Sequence, residues 1–508
     1  MSELKTPSVK KNFFMSTAYQ VLCIITPFIT APYLARVLGA EKIGISSYTG
    51  SIISVFNLFA VLGTTSYGVR EIARVRDNAF ERSKLFWEIE LLSVTTSLTV
   101  LAAWIFFIFH SNSDYKIFYV ILSLDILSSL MNITWFYAGM EEFKYTVIRN
   151  TFVKLTGIIL IFAFVKRPEH LWIYIFINAL CGFSGSASLW LTLKPFLVRV
   201  KFSELKVFRH FKGTLIYFIP AIATSVYSVL DKTLIGVITR EESQNGFYEQ
   251  ANKIINLVGI FTYESLNSVM TSRSSYLFAH EKYDEIKEKI SITIDYVMLI
   301  GFAAAFGLIG VAENFVPVFF GPGYEEVVVL MKAFAFLPLI IGIDRTLDSQ
   351  YYTPAGKRLQ SSFFLIIGSV VNVILNIILI PRYKALGAVI ATVLCHIVSS
   401  SLYLIFCRGF LRLSQLVKIS YKKVIAAVIM FFYLLLVDRF VEGNALCLTI
   451  QVIGGAAIYF ALLLLMKDKF LKEWLLPKVI AKFFPKRKNQ DKSVNENVNE
   501  NISEKVND

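Results

Sequence analysis

Residues 13–35, FFMSTAYQVLCIITPFITAPYLA, and residues 44–67, GISSYTGSIISVFNLFAVLGTTSY, decide how this chain folds. Each is long enough to cross a hydrocarbon core of about 30 Å as a helix, and the polar link between them has room only for a reversal. The pattern then repeats. Further apolar stretches run near 85–109, 115–139, 146–165, 171–193 and 211–237, then 247–272, 290–312, 326–351, 359–380, 386–407, 424–437 and 445–466, fourteen in all. Only helices and closed barrels satisfy every backbone polar group in lipid, and stretches of this length specify helices. The expectation is an all-α polytopic membrane protein.

Composition agrees. Hydrophobic residues make up 55% of the chain and aromatics 15%, with a mean hydropathy of +0.59; a water-soluble chain of this length would have to expose large apolar patches. The charge is also informative. With the N-terminus inside, 37 of the 51 Lys and Arg fall at inner ends and links, against 9 on the outer side. That asymmetry follows the positive-inside rule, so the net charge of +14 reads as a topology signal that requires no nucleic acid. Both termini are expected in the cytoplasm, in a multi-pass membrane protein. The start, MSELKTPSVKKNFF, has no short apolar core with a small-residue cleavage site, so the first span is expected to stay as a membrane helix. From Lys482 onward the Lys- and Asn-rich end reads as a disordered tail.

Several motifs are missing from the sequence: the G-x-x-x-x-G-K-[ST] phosphate loop, H-E-x-x-H, the G-x-S-x-G elbow and zinc-type Cys/His clusters. No catalytic residue, metal or cofactor is expected. The five cysteines are far apart and fall in or beside apolar spans, where a cysteine is a small hydrophobe. A membrane polymerase or ligase would need catalytic carboxylates on sizeable outer links, and every outer link here is short.

Charges inside spans cost about 2.5–3.5 kcal/mol each at a helix centre unless they meet water, a partner or the interface. The cations expected to line a lumen for an anionic substrate are Lys154, Lys253 and Arg345, from both halves of the chain, followed by Arg36 and Lys232. Candidates for coupling to an ion gradient are Asp344 and Asp348, four residues apart and so on one helical face, with Asp125 and Glu264. Asp231 is expected to bridge to Lys232 or Arg36. His396 is placed mid-span, and Trp135-Phe136-Tyr137 at an inner span end, where an interfacial belt or sugar stacking is expected. A faint internal echo pairs Pro27 and Gly44 with Pro220 and Gly246, as in transporters built from repeated halves around a central site.

The strings Pro32-Tyr33-Leu34-Ala35-Arg36-Val37-Leu38-Gly39 with Gly44 and Tyr48, Asn132 to Glu141, Arg149-Asn150 with Lys154, and Asp231-Lys232 before Gly246-Phe247-Tyr248 resemble the Wzx-type oligosaccharide flippases of the multidrug/oligosaccharidyl-lipid/polysaccharide exporter superfamily. Ala138 departs from that pattern, where a Gln is expected. The resemblance implies two six-helix lobes around a cavity, 13–193 and 211–407, joined by a basic linker at 194–210 and followed by two further spans in 408–466. Residues 1–12 and 467–508 are then cytoplasmic. It implies a flippase moving an undecaprenyl-pyrophosphate-linked repeat unit across the membrane by alternating access coupled to an ion gradient. The implied partners are lipid-linked oligosaccharide, membrane lipids and the polysaccharide polymerase and export proteins. Peptidoglycan-precursor flippases and multidrug exporters of the same superfamily are the alternatives.

Overall fold

The computed structural model describes residues 9–111, 114–225, 229–441 and 444–475, and among them every regular element is helical. The tail from Lys482 lies outside the described residues, as does the Pro220 side chain. The first seven helices are α1 (Val9–Val61), α2 (Thr64–Val75), α3 (Ala79–His110), α4 (Lys116–Leu130), α5 (Thr134–Gly139), α6 (Phe143–Phe164) and α7 (Leu171–Ser188). The following eight are α8 (Phe211–Ser225), α9 (Asp231–Thr239), α10 (Glu242–Gly259), α11 (Ser265–Ala279), α12 (Tyr283–Phe320), α13 (Glu325–Phe334), α14 (Leu337–Leu347) and α15 (Arg358–Phe406). Then α16 (Leu413–Phe440) and α17 (Asn444–Leu465) pack on each other and on α12.

Several boundaries have visible causes. The two arms of α1 meet at Gly39, whose φ of 76° interrupts the helix, so the first two apolar stretches are its two arms. In α15 the same break falls at Lys384. Asn78 caps α3, its side-chain oxygen accepting from the Phe80 and Glu81 amides at 3.1 and 3.2 Å. Pro338 in the first turn of α14 separates it from α13.

Large apolar side chains face outward along the bundle; Phe106, Phe152, Ile405 and Leu465 are among the most exposed. Such a surface is stable only in lipid, and nine helices among the described residues are long and apolar enough to cross it. Cys395, Cys407 and Cys447 are buried, Cys23 and Cys181 half-buried, and none of the five is bridged.

The two halves touch at both ends of the bundle. At one end, the second arm of α1 lies so close to α10 that a Cβ on Gly44 would sit 1.7 Å from the Glu242 carbonyl oxygen. A Cβ on Gly246 would sit 2.0 Å from that of Ala40. The two glycines paired by the sequence echo thus seal this end together. At the opposite end Arg70 donates to the Tyr217 hydroxyl at 3.1 Å, and Gly213 packs against the Tyr67 ring. The linker docks there too. Glu88, buried on α3, accepts from the Lys206 amide (2.8 Å) and the Arg209 guanidinium (2.5 Å) and contacts His210 Nε2 at 2.8 Å. Arg82 donates to the Phe196 carbonyl.

Candidate functional site

Helix α10 organises the polar interior. Glu249 and Lys253, one turn apart, occupy one face, while Tyr248 and Asn252, each one residue earlier, lie about 100° around it, with Asn256 one turn farther along. Each face looks into a different cavity, so α10 is a wall.

The first cavity lies between the halves. Part of it, about 220 Å³, is lined by Ser47, Gly50, Ser51 and Ser54 of α1, Lys232 of α9, and Glu249 and Lys253 of α10. A neighbouring part of about 350 Å³ is lined by Thr26, Pro27, Lys154 and Asn178, and the two parts share Leu34, Tyr174 and Lys253. Glu249 organises the charges: Lys232 Nζ lies 2.6 Å and Lys253 Nζ 3.4 Å from its carboxylate, and the Ser47 hydroxyl donates to it at 3.2 Å. Three lysines against one glutamate leave an excess of two positive charges around this space. A cleft walled by low-dielectric protein and lipid focuses such a field on an anion.

The second cavity, about 310 Å³, lies within the second half of the chain and holds Arg345, Asp344, Asp348, Glu264 and His396 with Asn252 and Asn256. Asp344 Oδ2 is 3.6 Å from His396 Nδ1 and accepts from the Ser400 hydroxyl at 3.4 Å. Glu264 and Asp348 both sit in π-helical turns, Ile260–Glu264 and Asp348–Tyr352, a backbone form that re-aims side chains and recurs at functional sites. Three carboxylates against one arginine give this space the opposite character.

The structure therefore brings Lys154, Lys253 and Lys232 together and separates them from Arg345, which lies across α10 with Asp344, Asp348 and Glu264. Arg36 lines neither cavity: its guanidinium reaches back to the Val318 carbonyl at 2.7 Å, because the chain reverses just beyond it at Gly39. Asp125 is half-buried on α4 and lines neither cavity. The expected Asp231 bridge is replaced by neutral donors. Asp231, fully buried, accepts from Tyr248 (2.7 Å), Asn376 (2.6 Å) and Thr392 (2.5 Å), whereas Lys232, the next residue around the helix, points to Glu249. Trp135, Phe136 and Tyr137 are buried among Phe86, Trp190 and Phe196, so none of the three rings offers a free stacking face.

Sequence reasoning missed Glu249. Its signal was present in the spacing to Lys253, the i, i+4 geometry that places opposite charges side by side on a helix. The small polar stripe Ser47, Ser51, Ser54 was also legible as one helical face.

Residues 9–270 match the model of a family described as polysaccharide biosynthesis protein. A candidate O-antigen transporter of Shigella dysenteriae is 25% identical over 390 residues, 75% of this chain and 96% of that protein. A second, from Escherichia coli K12, is 24% identical over 407 residues, 79% of this chain and 97% of its own length. Among solved structures, an inward closed conformation of the lipid II flippase MurJ superposes with a TM-score of 0.69 at 17% identity, over 90% of this chain and 99% of that one.

Proposed function

The chain belongs to the polysaccharide biosynthesis protein family, and from that premise we propose that it is a flippase carrying an undecaprenyl-pyrophosphate-linked oligosaccharide repeat unit across the cytoplasmic membrane. The observation that carries this reading is the inter-half cavity, where Lys154, Lys232 and Lys253 outnumber Glu249. A diphosphate is a dense, strongly hydrated anion that cannot cross lipid unaided. Lysine ammonium groups stabilise it as point charges, and the serine stripe of α1 replaces part of its hydration. The polyprenyl chain stays in lipid beside the cleft. The excess of cations disfavours a cationic drug as cargo.

Movement follows from the two closures. With the halves in contact at the Gly44 end and at the Arg70–Tyr217 end, rocking one half against the other opens one closure at a time around the same cavity. In this reading the Gly44 end faces the outside, which the basic bias of the links supports. The acidic cavity across α10 is the coupling element of this reading: binding a cation there changes the charge behind the wall that carries Glu249 and Lys253. The reaction is transport, with no covalent bond made or broken, and its product is handed to the polymerase outside.

Replacing Lys154 or Lys253 by Ala is expected to lower surface polysaccharide at least tenfold, with the protein retained in the membrane and lipid-linked oligosaccharide accumulating inside. Normal surface polymer in both variants would refute the reading.

A further inference from the structure

A third cavity, about 330 Å³, opens at the Gly44 end between the halves, lined by Tyr48, Tyr115, Gly236, Arg240, Glu242 and Asn245. Its chemistry differs from that of the lysine cavity. Glu241, also in its lining, is paired with Lys384 at 2.8 Å, Glu242 accepts a hydrogen bond from Tyr115, and Arg240 offsets the remaining acid. The space is close to electrically neutral. Its α10 wall holds an amide with nothing to bind: Asn245 is fully buried, and neither its oxygen nor its nitrogen has a hydrogen-bond partner. A leucine would fill the same volume without leaving a donor and an acceptor desolvated. Beside it, the Tyr48 and Tyr115 rings lie edge to face with centroids 6.0 Å apart.

Position adds the second line of argument. Gly236 follows Lys232 by one turn of α9, and Asn245 precedes Glu249 by one turn of α10. Both steps run toward the Gly44 end. The third cavity therefore stacks on the lysine cavity one helical turn away, about 5–6 Å along the helix axes. An unpaired amide beside aromatic rings in a neutral pocket suits a polyhydroxylated ring, whose hydroxyls donate and accept at once and whose C–H face packs on an aromatic.

We propose that this cavity is a sugar subsite that holds the pyranose ring attached to the pyrophosphate, while Lys232 and Lys253 hold the pyrophosphate itself. The assignment rests on the flippase reading and names which part of the cargo each space receives.

Two lipids test it on the purified full-length protein: lipid-linked oligosaccharide extracted from the native host, and undecaprenyl pyrophosphate without sugar. Wild type is expected to bind the sugar-bearing lipid more tightly. Asn245→Leu and Tyr48→Leu are each expected to weaken that binding about tenfold and to leave binding of the sugar-free lipid unchanged. Asn245→Leu should also unfold at a temperature no lower than wild type, since it removes an unpaired amide. Unchanged affinity for the sugar-bearing lipid in both variants overturns the proposal, as does an equal loss for both lipids. A wild type that binds both lipids equally overturns the subsite and leaves the flippase reading standing. A wild type that binds neither overturns both.

Discussion

Glu249 carries the most weight of any single residue. It is 18% exposed and serves two lysines at once, so removing its charge leaves two ammonium groups facing each other in a confined space. Glu249→Gln, which keeps the volume, is expected to lower stability by an amount between the roughly 0–1 kcal/mol of an exposed pair and the about 3–5 kcal/mol of a dry one, because the cavity admits water. Thermal unfolding in detergent measures it, and an unchanged midpoint would show that the pairs are not formed. His210 gives a pH dependence on the linker. Burial pushes its imidazole below the ordinary value, against the opposing pull of Glu88, with Arg209 adding to the depression and Glu71 opposing it. A histidine held neutral by folding contributes stability that is fully present above its unfolded pKa of about 6.5 and is lost as pH falls below it and through the lower folded value. Protease cleavage within 194–210 is therefore expected to rise between about pH 7 and 5.5; a flat profile would contradict this docking. The sequence made the cations legible because each is costly in lipid. It hid which of them are paired, since a pair depends on which helix lies opposite.

At the scale of elements, α1 against α10 is the decisive contact. Gly44 and Gly246 have no room for a methyl group, their hypothetical Cβ atoms meeting backbone carbonyl oxygens. Gly246→Leu is expected to exclude this closure and shift the population toward the state open at that end. A cysteine placed at Ser54, which lines the cavity, should then react faster with a membrane-impermeant thiol reagent added from outside, in a background lacking the native cysteines. Equal rates in both backgrounds would refute the role of this closure. Length and apolarity alone made the helices readable from sequence, down to the reversals at Gly39 and Lys384. The π-helical turns at Glu264 and Asp348 were not readable, because they are set by packing across the bundle and by no local residue pattern. For the same reason α10 could not be foreseen as a partition: Lys253 was visible on it, but its partner Glu249 and what lay beyond each face were not.

For the whole molecule, the account requires two halves that move against each other around fixed charges. Ser51 Oγ and Thr233 Oγ1 lie 2.8 Å apart across the halves, beside the lysine cavity. Cysteines at these two positions, in a background lacking the native cysteines, are expected to cross-link on oxidation and to stop export until a reductant is added; export unaffected by complete cross-linking would exclude rocking at this seam. The sequence conveyed the class of fold and the presence of charges in its interior, because lipid makes apolar length obligatory and each buried charge conspicuous. A single lumen holding Lys154, Lys253 and Arg345 was expected from it, and the folded chain instead divides them between two spaces of opposite charge. The most direct test of the central claim is the affinity of the purified protein for undecaprenyl pyrophosphate compared with uncharged undecaprenol, in wild type and in the Lys154→Ala, Lys253→Ala double variant. A preference for the diphosphate lipid that falls at least tenfold in the double variant is the predicted result, and equal affinity of wild type for the two lipids would contradict it.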